Sequence, residues 1–300
     1  MNVIKVTPRG YCKGVVKAIE IAKKAAIDYP KEDIYILGML VHNKYVMLAL
    51  KALNIKFLDS NSKTRFDLLD DISSGVVIFT AHGVHKSVID KAKSKGLICI
   101  DASCSDVKKT QQIVDEYLAK DFKVIYIGKS KHPESEAVCY NNSNCYLVEN
   151  ANDINELPTL NKVFVTNQTT MSYKDIEELF KLILVKYPDA IISEEICNAT
   201  RIRQEAIYNL KDQEIDLLVV VGDKKSNNSN RLAKIGIDTG IKNTILIDDV
   251  RDLINYNFND IKNVAITSGA STPTYLTNQV ISYLEAYPVN LPTIDLSKII

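Results

Sequence analysis

Three cysteines set the frame of this chain. Cys12, Cys104 and Cys197 stand 92 and 93 residues apart in a sequence of 300, a spacing that predicts a threefold internal repeat. Their surroundings repeat as well. Before each lies a short β-prone segment, NVIKV, GLICI or AIISEEI. After each, apolar residues recur at helical spacing: Val15, Ile19, Ala22 and Ala26, then Val107, Val114, Tyr117 and Leu118, then Ala199, Ile202, Ala206 and Leu210. Each cysteine therefore falls at a strand-to-helix turn, where backbone N–H groups and the helix dipole favour a thiolate.

Two further features recur in every unit. One reads YILGMLVHN (35–43), VIYIGKSKHPE (124–134) and LVVVGDKKSNNSN (218–230): an apolar strand, then Gly38, Gly128 or Gly222, then a polar loop. The other reads VVIFTAHGV (76–84), VFVTNQTTMS (163–172) and VAITSGASTP (264–273). Ser172 is placed to cap a helix running through Leu182, and Pro273 to sit in the first turn of the last helix. Strands alternating with helices predict parallel sheets with βα crossovers, whose ligand-binding groups collect at the carboxyl ends of the strands. The expected fold is thus α/β, with three pseudo-equivalent βα lobes, each with a small parallel sheet, arranged around a central site. The expected lobes are 14–103, 104–194, and 195–285 together with 1–13, with 286–300 as a C-terminal tail. Residues 142–158 read as a short hairpin or surface connection.

Composition narrows the function. Basic and acidic residues balance at 37 each, so no global field draws in nucleic acid or an anionic membrane. No apolar run approaches the roughly 18 residues of a membrane helix, and the N-terminus lacks a signal-peptide pattern. The chain reads as soluble and cytoplasmic, where its six cysteines are expected to stay reduced. No C-x-x-C pair supports a zinc ribbon or a thioredoxin-like motif.

Cys99, in LICI, reads as a small buried hydrophobe, and Cys139 and Cys145 as structural or incidental. Cys12, Cys104 and Cys197 differ because their contexts match. Three converging thiolates need a cation, and soft thiolates select zinc, Cu(I) or an iron–sulfur cluster. A four-iron cluster usually takes four cysteines, so three leave one position open. His42, His82 and His132 all fall in the strand-end loops, whereas His85 has no partner in the repeat and reads as structural. The loops also carry Thr169, Thr170, Ser226, Asn227, Asn228, Ser229, Asn230, Ser268, Ser271 and Thr272. Together these donors suit a small oxygen-rich anion such as a diphosphate, bound without a P-loop. Glu134, two residues past His132, could deliver protons.

The motifs PRGYCKGV, LVHNK, TAHGV, DASCSDV, HPESE, NQTTMS, ICNATRIRQEA, SNNSNRL and SGASTP, in that order along the chain, resemble those of the hydroxymethylbutenyl diphosphate reductases. That resemblance implies three α/β lobes in a cloverleaf around a 4Fe-4S cluster with three cysteine ligands and one open iron. It implies Cys12, Cys104 and Cys197 as those ligands. It further implies His42, His82, His132, Ser226, Asn227, Asn228 and Ser271 at the diphosphate, Thr169 near the substrate hydroxyl, and Glu134 as proton donor. The implied reaction is reductive dehydroxylation of 4-hydroxy-3-methylbut-2-enyl diphosphate to isopentenyl and dimethylallyl diphosphate, the last step of the methylerythritol phosphate route. A ferredoxin or flavodoxin type protein would supply the electrons. The chain departs from the family pattern at Asn227, where a second serine is usual, at Ser105, where proline is usual, and at Asn198, where tyrosine often follows the cysteine. The alternatives are a cluster-dependent hydro-lyase on a small anionic substrate, an iron–sulfur redox sensor and a zinc hydrolase.

Overall fold

The computed structural model describes residues 1–60 and 62–300. Among the described residues, three four-stranded sheets share one strand order. In the first, β2 (Ile34–Leu37), β3 (Ile55–Leu58), β4 (Val76–Phe79) and β5 (Ile98–Asp101) run β3-β2-β4-β5. In the second, β6 (Lys123–Ile127), β7 (Cys145–Val148), β8 (Val163–Asn167) and β9 (Ile191–Ile192) run β7-β6-β8-β9. In the third, β10 (Leu217–Val221), β11 (Asn243–Ile247) and β12 (Asn263–Ser268) run β11-β10-β12, and β1 (Asn2–Lys5) adds the fourth strand beside β12. Every pairing is parallel. The fold class expected from the alternation is the one observed.

The helices repeat in step. After Cys12 come α1 (Lys13–Asp28), α2 (Lys44–Lys51), α3 (Arg65–Leu68) and α4 (Lys86–Ser94). Following Cys104 are α5 (Ser105–Leu118), α6 (Pro133–Cys139), α7 (Ala151–Glu156) and α8 (Tyr173–Lys186). Cys197 leads into α9 (Asn198–Tyr208), α10 (Asn227–Asp238), a 3-10 turn over Val250–Leu253, and α11 (Thr274–Glu285). Central strands are covered on both faces, which is why they read as unbroken apolar runs. Every residue of VVIF in β4, VFVTN in β8 and LLVVV in β10 is buried.

The described residues fall into two compact units. The first takes in Met1–Val16, Val41–Leu53 and Asn198–Ile300, and holds the third sheet. On one side of that sheet Leu217, Val219, Val221 and Ile266 meet Leu253, Val280 and Leu284. On the other, Leu218, Val220 and Ala265 meet Ile207, Leu232 and Ile235. The second unit takes in Lys17–Leu40 and Asn54–Cys197, with the other two sheets. There Leu37, Val77 and Phe79 pack on Leu69, Ile72 and Val88. Ile125, Val163 and Val165 pack on Ile176 and Ile183, and Val124, Tyr126 and Phe164 pack on Val114.

Three local expectations are corrected. Residues 142–158 are neither hairpin nor plain connection: they hold the parallel edge strand β7 and helix α7, which starts on a capping box of Asn150 and Asp153. Pro273 is the N-cap of α11 rather than a first-turn residue. Cys139 and Cys145 are not both reduced thiols. A tight reversal through Asn141–Asn144 brings the last residue of α6 back to the first of β7, with Cα atoms 5.3 Å apart, and the two sulfurs are joined. The cap at Ser172 forms as expected, its hydroxyl accepting from the Asp175 N–H at 3.2 Å, and α8 runs past Leu182 to Lys186.

Candidate active site

Each cysteine turn is held by the same bond. The Cys12 N–H donates to the carbonyl of Ala270 at 2.9 Å, that of Cys104 to Ala81 at 2.9 Å, and that of Cys197 to Thr169 at 3.1 Å. Ala81, Thr169 and Ala270 each stand two residues beyond the end of β4, β8 and β12, so the acceptors are equivalent. All three cysteines are half-buried and stay out of disulfides. Each immediately precedes a helix, and Cys104 is the N-cap of α5. The threefold repeat therefore extends to the hydrogen bonds that aim the thiols.

The loops after β2, β6 and β10 repeat too. His42, His132 and Ser226 each lie four residues past Gly38, Gly128 and Gly222. His132 caps α6, its Nδ1 accepting from the Glu134 N–H at 3.2 Å, and Ser226 caps α10, accepting from the Ser229 N–H at 3.3 Å. Asn43, rather than His42, caps α2.

Within the second unit the structure brings together His82, His132, Glu134 and Thr169. The two imidazoles meet edge to face, with ring centroids 5.6 Å apart. Glu134 is 2% exposed. One of its carboxylate oxygens accepts from both the N–H and the hydroxyl of Thr169, each at 2.9 Å. Burial raises its pKa from 4.5 to about 7, against the opposing pull of the two Thr169 bonds. A group poised near neutrality can hold and release a proton at working pH.

The first unit holds His42, Ser226, Asn227, Asn228 and Ser271 around the ends of β10 and β12. Ser271 donates its hydroxyl to the His42 carbonyl at 3.0 Å. Asn228 is buried, yet neither its amide nitrogen nor its oxygen has a hydrogen-bond partner among the described residues. An unmatched buried amide costs about 1–3 kcal/mol, and a polar ligand would remove that cost. The helix start comes close because the strand ends are glycine: a Cβ on Gly222 would stand 2.2 Å, and one on Gly269 2.1 Å, from the Ser229 hydroxyl.

Four contributors escape sequence reading. Arg203, buried on α9, donates to the carbonyl of Gly10 at 2.9 Å, a partner 193 residues away. Asp223 ties two loops of the first unit. Arg65 clamps Glu136 on α6 through its backbone N–H at 2.8 Å and through its guanidinium. Lys109 on α5 pairs at 2.9 Å with the buried Glu195, two residues before Cys197. The second arginine of ICNATRIRQEA, Arg203, and the aspartate after Gly222 are visible in the sequence, but their partners are distant and leave no local pattern. His85 caps α4, in keeping with a structural part.

Residues 3–285 match the LytB protein family. The 4-hydroxy-3-methylbut-2-enyl diphosphate reductase of Bacillus thuringiensis (strain Al Hakam) is 48% identical over 298 residues, covering 98% of this chain and 93% of that protein. The protein of the same name from Bacillus cereus (strain AH187) gives the same identity and coverage. Among solved structures, the E-1-hydroxy-2-methyl-but-2-enyl-4-diphosphate reductase of Plasmodium falciparum superposes with a TM-score of 0.87 at 29% identity, covering 99% of this chain and 96% of that one. A structure described as (E)-4-hydroxy-3-methyl-but-2-enyl diphosphate reductase, the terminal enzyme of the non-mevalonate pathway, gives 0.65 at 28% identity, covering 95% and 99%. With its threefold cysteine turns, its buried Glu134 and a match running almost from end to end, the chain belongs to the LytB protein family.

Proposed function

We propose that the chain reduces 4-hydroxy-3-methylbut-2-enyl diphosphate, the compound its relatives are named for, to isopentenyl and dimethylallyl diphosphate. The equivalence of the three cysteine turns carries this reading. Three soft thiols, one from each repeat, suit a 4Fe-4S cluster with one iron left open, whereas structural zinc takes four protein ligands. Cys12, Cys104 and Cys197 would hold that cluster. When bound, it supplies single electrons and an open iron acting as a Lewis acid.

The remaining work falls to the chain's own side chains. His42, His82, His132, Ser226, Asn227, Asn228 and Ser271 take the diphosphate through imidazole, hydroxyl and amide donors, aided by the start of α10. The unmatched amide of Asn228 supports that part. Fixing the anionic end orients the allylic alcohol toward Thr169 and Glu134. Glu134 gives its proton to the departing hydroxyl, which leaves as water, while Thr169 keeps the carboxyl aimed. In sum the substrate takes up two electrons and two protons and loses one water. The second proton goes to either of two carbons, which gives the two products. A ferredoxin or flavodoxin type protein in the cytoplasm supplies the electrons. No helix of the described residues is long and apolar enough to cross a membrane.

The test is turnover of anaerobically purified holoenzyme with and without a reduced viologen. Reductant-dependent formation of the two alkenyl diphosphates is the expected result. Loss of water with no reductant present would instead make the chain a hydro-lyase. Elemental analysis should find iron and acid-labile sulfide rather than zinc, and Cys104→Ser should lose both metal and activity. An active, fully loaded Cys104→Ser variant removes the three-ligand assignment.

A further inference from the structure

We propose that Asp223 is a positioning residue that fixes His42 and Ser226 as donors to the diphosphate, setting affinity for the anion rather than the rate of the chemical step. The inference rests on the diphosphate reading given under Proposed function.

Asp223 is 7% exposed, one residue past Gly222 at the end of β10. Its two carboxylate oxygens are divided between two loops. Oδ1 accepts from the Lys225 N–H at 2.8 Å, and Oδ2 from the Lys44 N–H at 2.8 Å. Lys225 immediately precedes Ser226, and Lys44 follows His42 by two residues. The Asp223 carbonyl also accepts from the Ser226 N–H at 2.9 Å. One side chain thus sets the spacing between the His42 segment and the Ser226 turn.

The same contacts explain why Val41–Leu53, which follows β2 of the first sheet in sequence, belongs to the unit of the third sheet. Beyond Asp223, the Tyr45 hydroxyl bonds Asp249 and accepts from Arg251 at 2.6 Å, and Lys44 pairs with Asp248. These other ties keep α2 docked when Asp223 is changed, so a variant should fold.

Charge alone predicts the opposite of positioning. A carboxylate beside an anion site repels the anion, so its removal should tighten binding. If Asp223 instead holds the donors in place, its removal loosens them, and binding weakens despite the lost repulsion. The sign of the effect separates the two.

The experiment measures binding of inorganic diphosphate to the holoenzyme by calorimetry, with KM and kcat alongside, for wild type, Asp223→Asn, Asp223→Ala and, as a control, His132→Ala. Asparagine keeps the shape but offers one acceptor oxygen where two are used. The expected result is diphosphate binding weaker by about tenfold or more in both Asp223 variants, the factor for one lost bond to a charged group. KM should rise by a similar factor, with kcat within about twofold of wild type. Should Asp223→Ala fail to fold, the isosteric Asp223→Asn decides. Unchanged or tighter binding in Asp223→Asn, with binding weakened in His132→Ala, overturns the inference and leaves the diphosphate reading standing. Unchanged binding in His132→Ala overturns that reading, and the inference falls with it.

Discussion

Thr169 grips Glu134 twice at a single carboxylate oxygen, through its backbone N–H and its hydroxyl, both at 2.9 Å. Its carbonyl meanwhile accepts from the N–H of Cys197 at 3.1 Å. One residue therefore anchors both the buried Glu134 carboxyl and the third cysteine turn.

Glu134→Gln keeps the size and an acceptor for Thr169 but removes the transferable proton. Turnover should fall by about 10²–10⁴, the usual range for a general acid. Iron content and thermal midpoint should hold, since a neutral amide is less costly to bury than a carboxylate. Undiminished turnover would take Glu134 out of the scheme.

The pH profile has a defined sign. With the Glu134 carboxyl at about 7, kcat/KM should decline as pH rises through neutrality and the proton is lost. The Thr169 hydroxyl lowers that pKa, so Thr169→Val should move the alkaline limb to higher pH. A limb that stays in place in Thr169→Val belongs to another group. Stability follows the same linkage. The folded state binds this proton more tightly than the unfolded chain, so the stabilisation is full below 4.5 and is lost as pH climbs through about 7. Thermal melts of Glu134→Gln should lack that component.

Gly10 has φ +77, and a Cβ there would stand 2.3 Å from the Thr274 hydroxyl oxygen. Gly10→Ala should cost about 1–3 kcal/mol and, by shifting the Cys12 turn, lower the iron bound per chain. Gly240 is the control: φ is +84, but nothing lies within 4 Å. Gly240→Ala should lose stability through backbone strain alone and keep its iron. Equal iron loss in both variants would mean that the Cys12 turn is not specifically involved.

Arg65 and Glu136 form a half-buried pair, with side chains 11% and 22% exposed. Arg65→Ala leaves the Glu136 carboxylate without its guanidinium, on the helix that carries Glu134. A loss of about 1–3 kcal/mol is expected, between the values for exposed and fully buried pairs. Urea melts of the single and double variants provide the check. Glu136→Gln in the Arg65→Ala background should recover part of the loss, because the uncompensated charge is gone.

Much of this was legible from spacing. A strand order repeated three times follows from cysteines placed at near-equal intervals, because each repeat obeys the same βα rules. The loops were legible because Gly38, Gly128 and Gly222 punctuate apolar runs. Strand β7 was not: CYLV is short, lies at a sheet edge with only Val148 fully buried, and stands among asparagines that read as turn. The joined Cys139 and Cys145 were hidden for a different reason, since the expected reducing compartment argues for free thiols while only the local reversal brings the pair together. Asp223 and Arg203 act through backbone groups of Lys44 and Gly10, and backbone partners carry no side-chain signature.

Strand β1 waits for a neighbour made much later in the sequence, with Asn2 set beside Asn263. Gly10 bonds the Ser268 hydroxyl across 258 residues of chain, and Cys12 hangs from Ala270. During synthesis the first two sheets can assemble as they emerge, whereas the third can hold only β10 and β11 until β12 has left the ribosome. The Cys12 turn, first of the three in sequence, is thereby the last to close, since the acceptors for Cys104 and Cys197 are made long before Ala270.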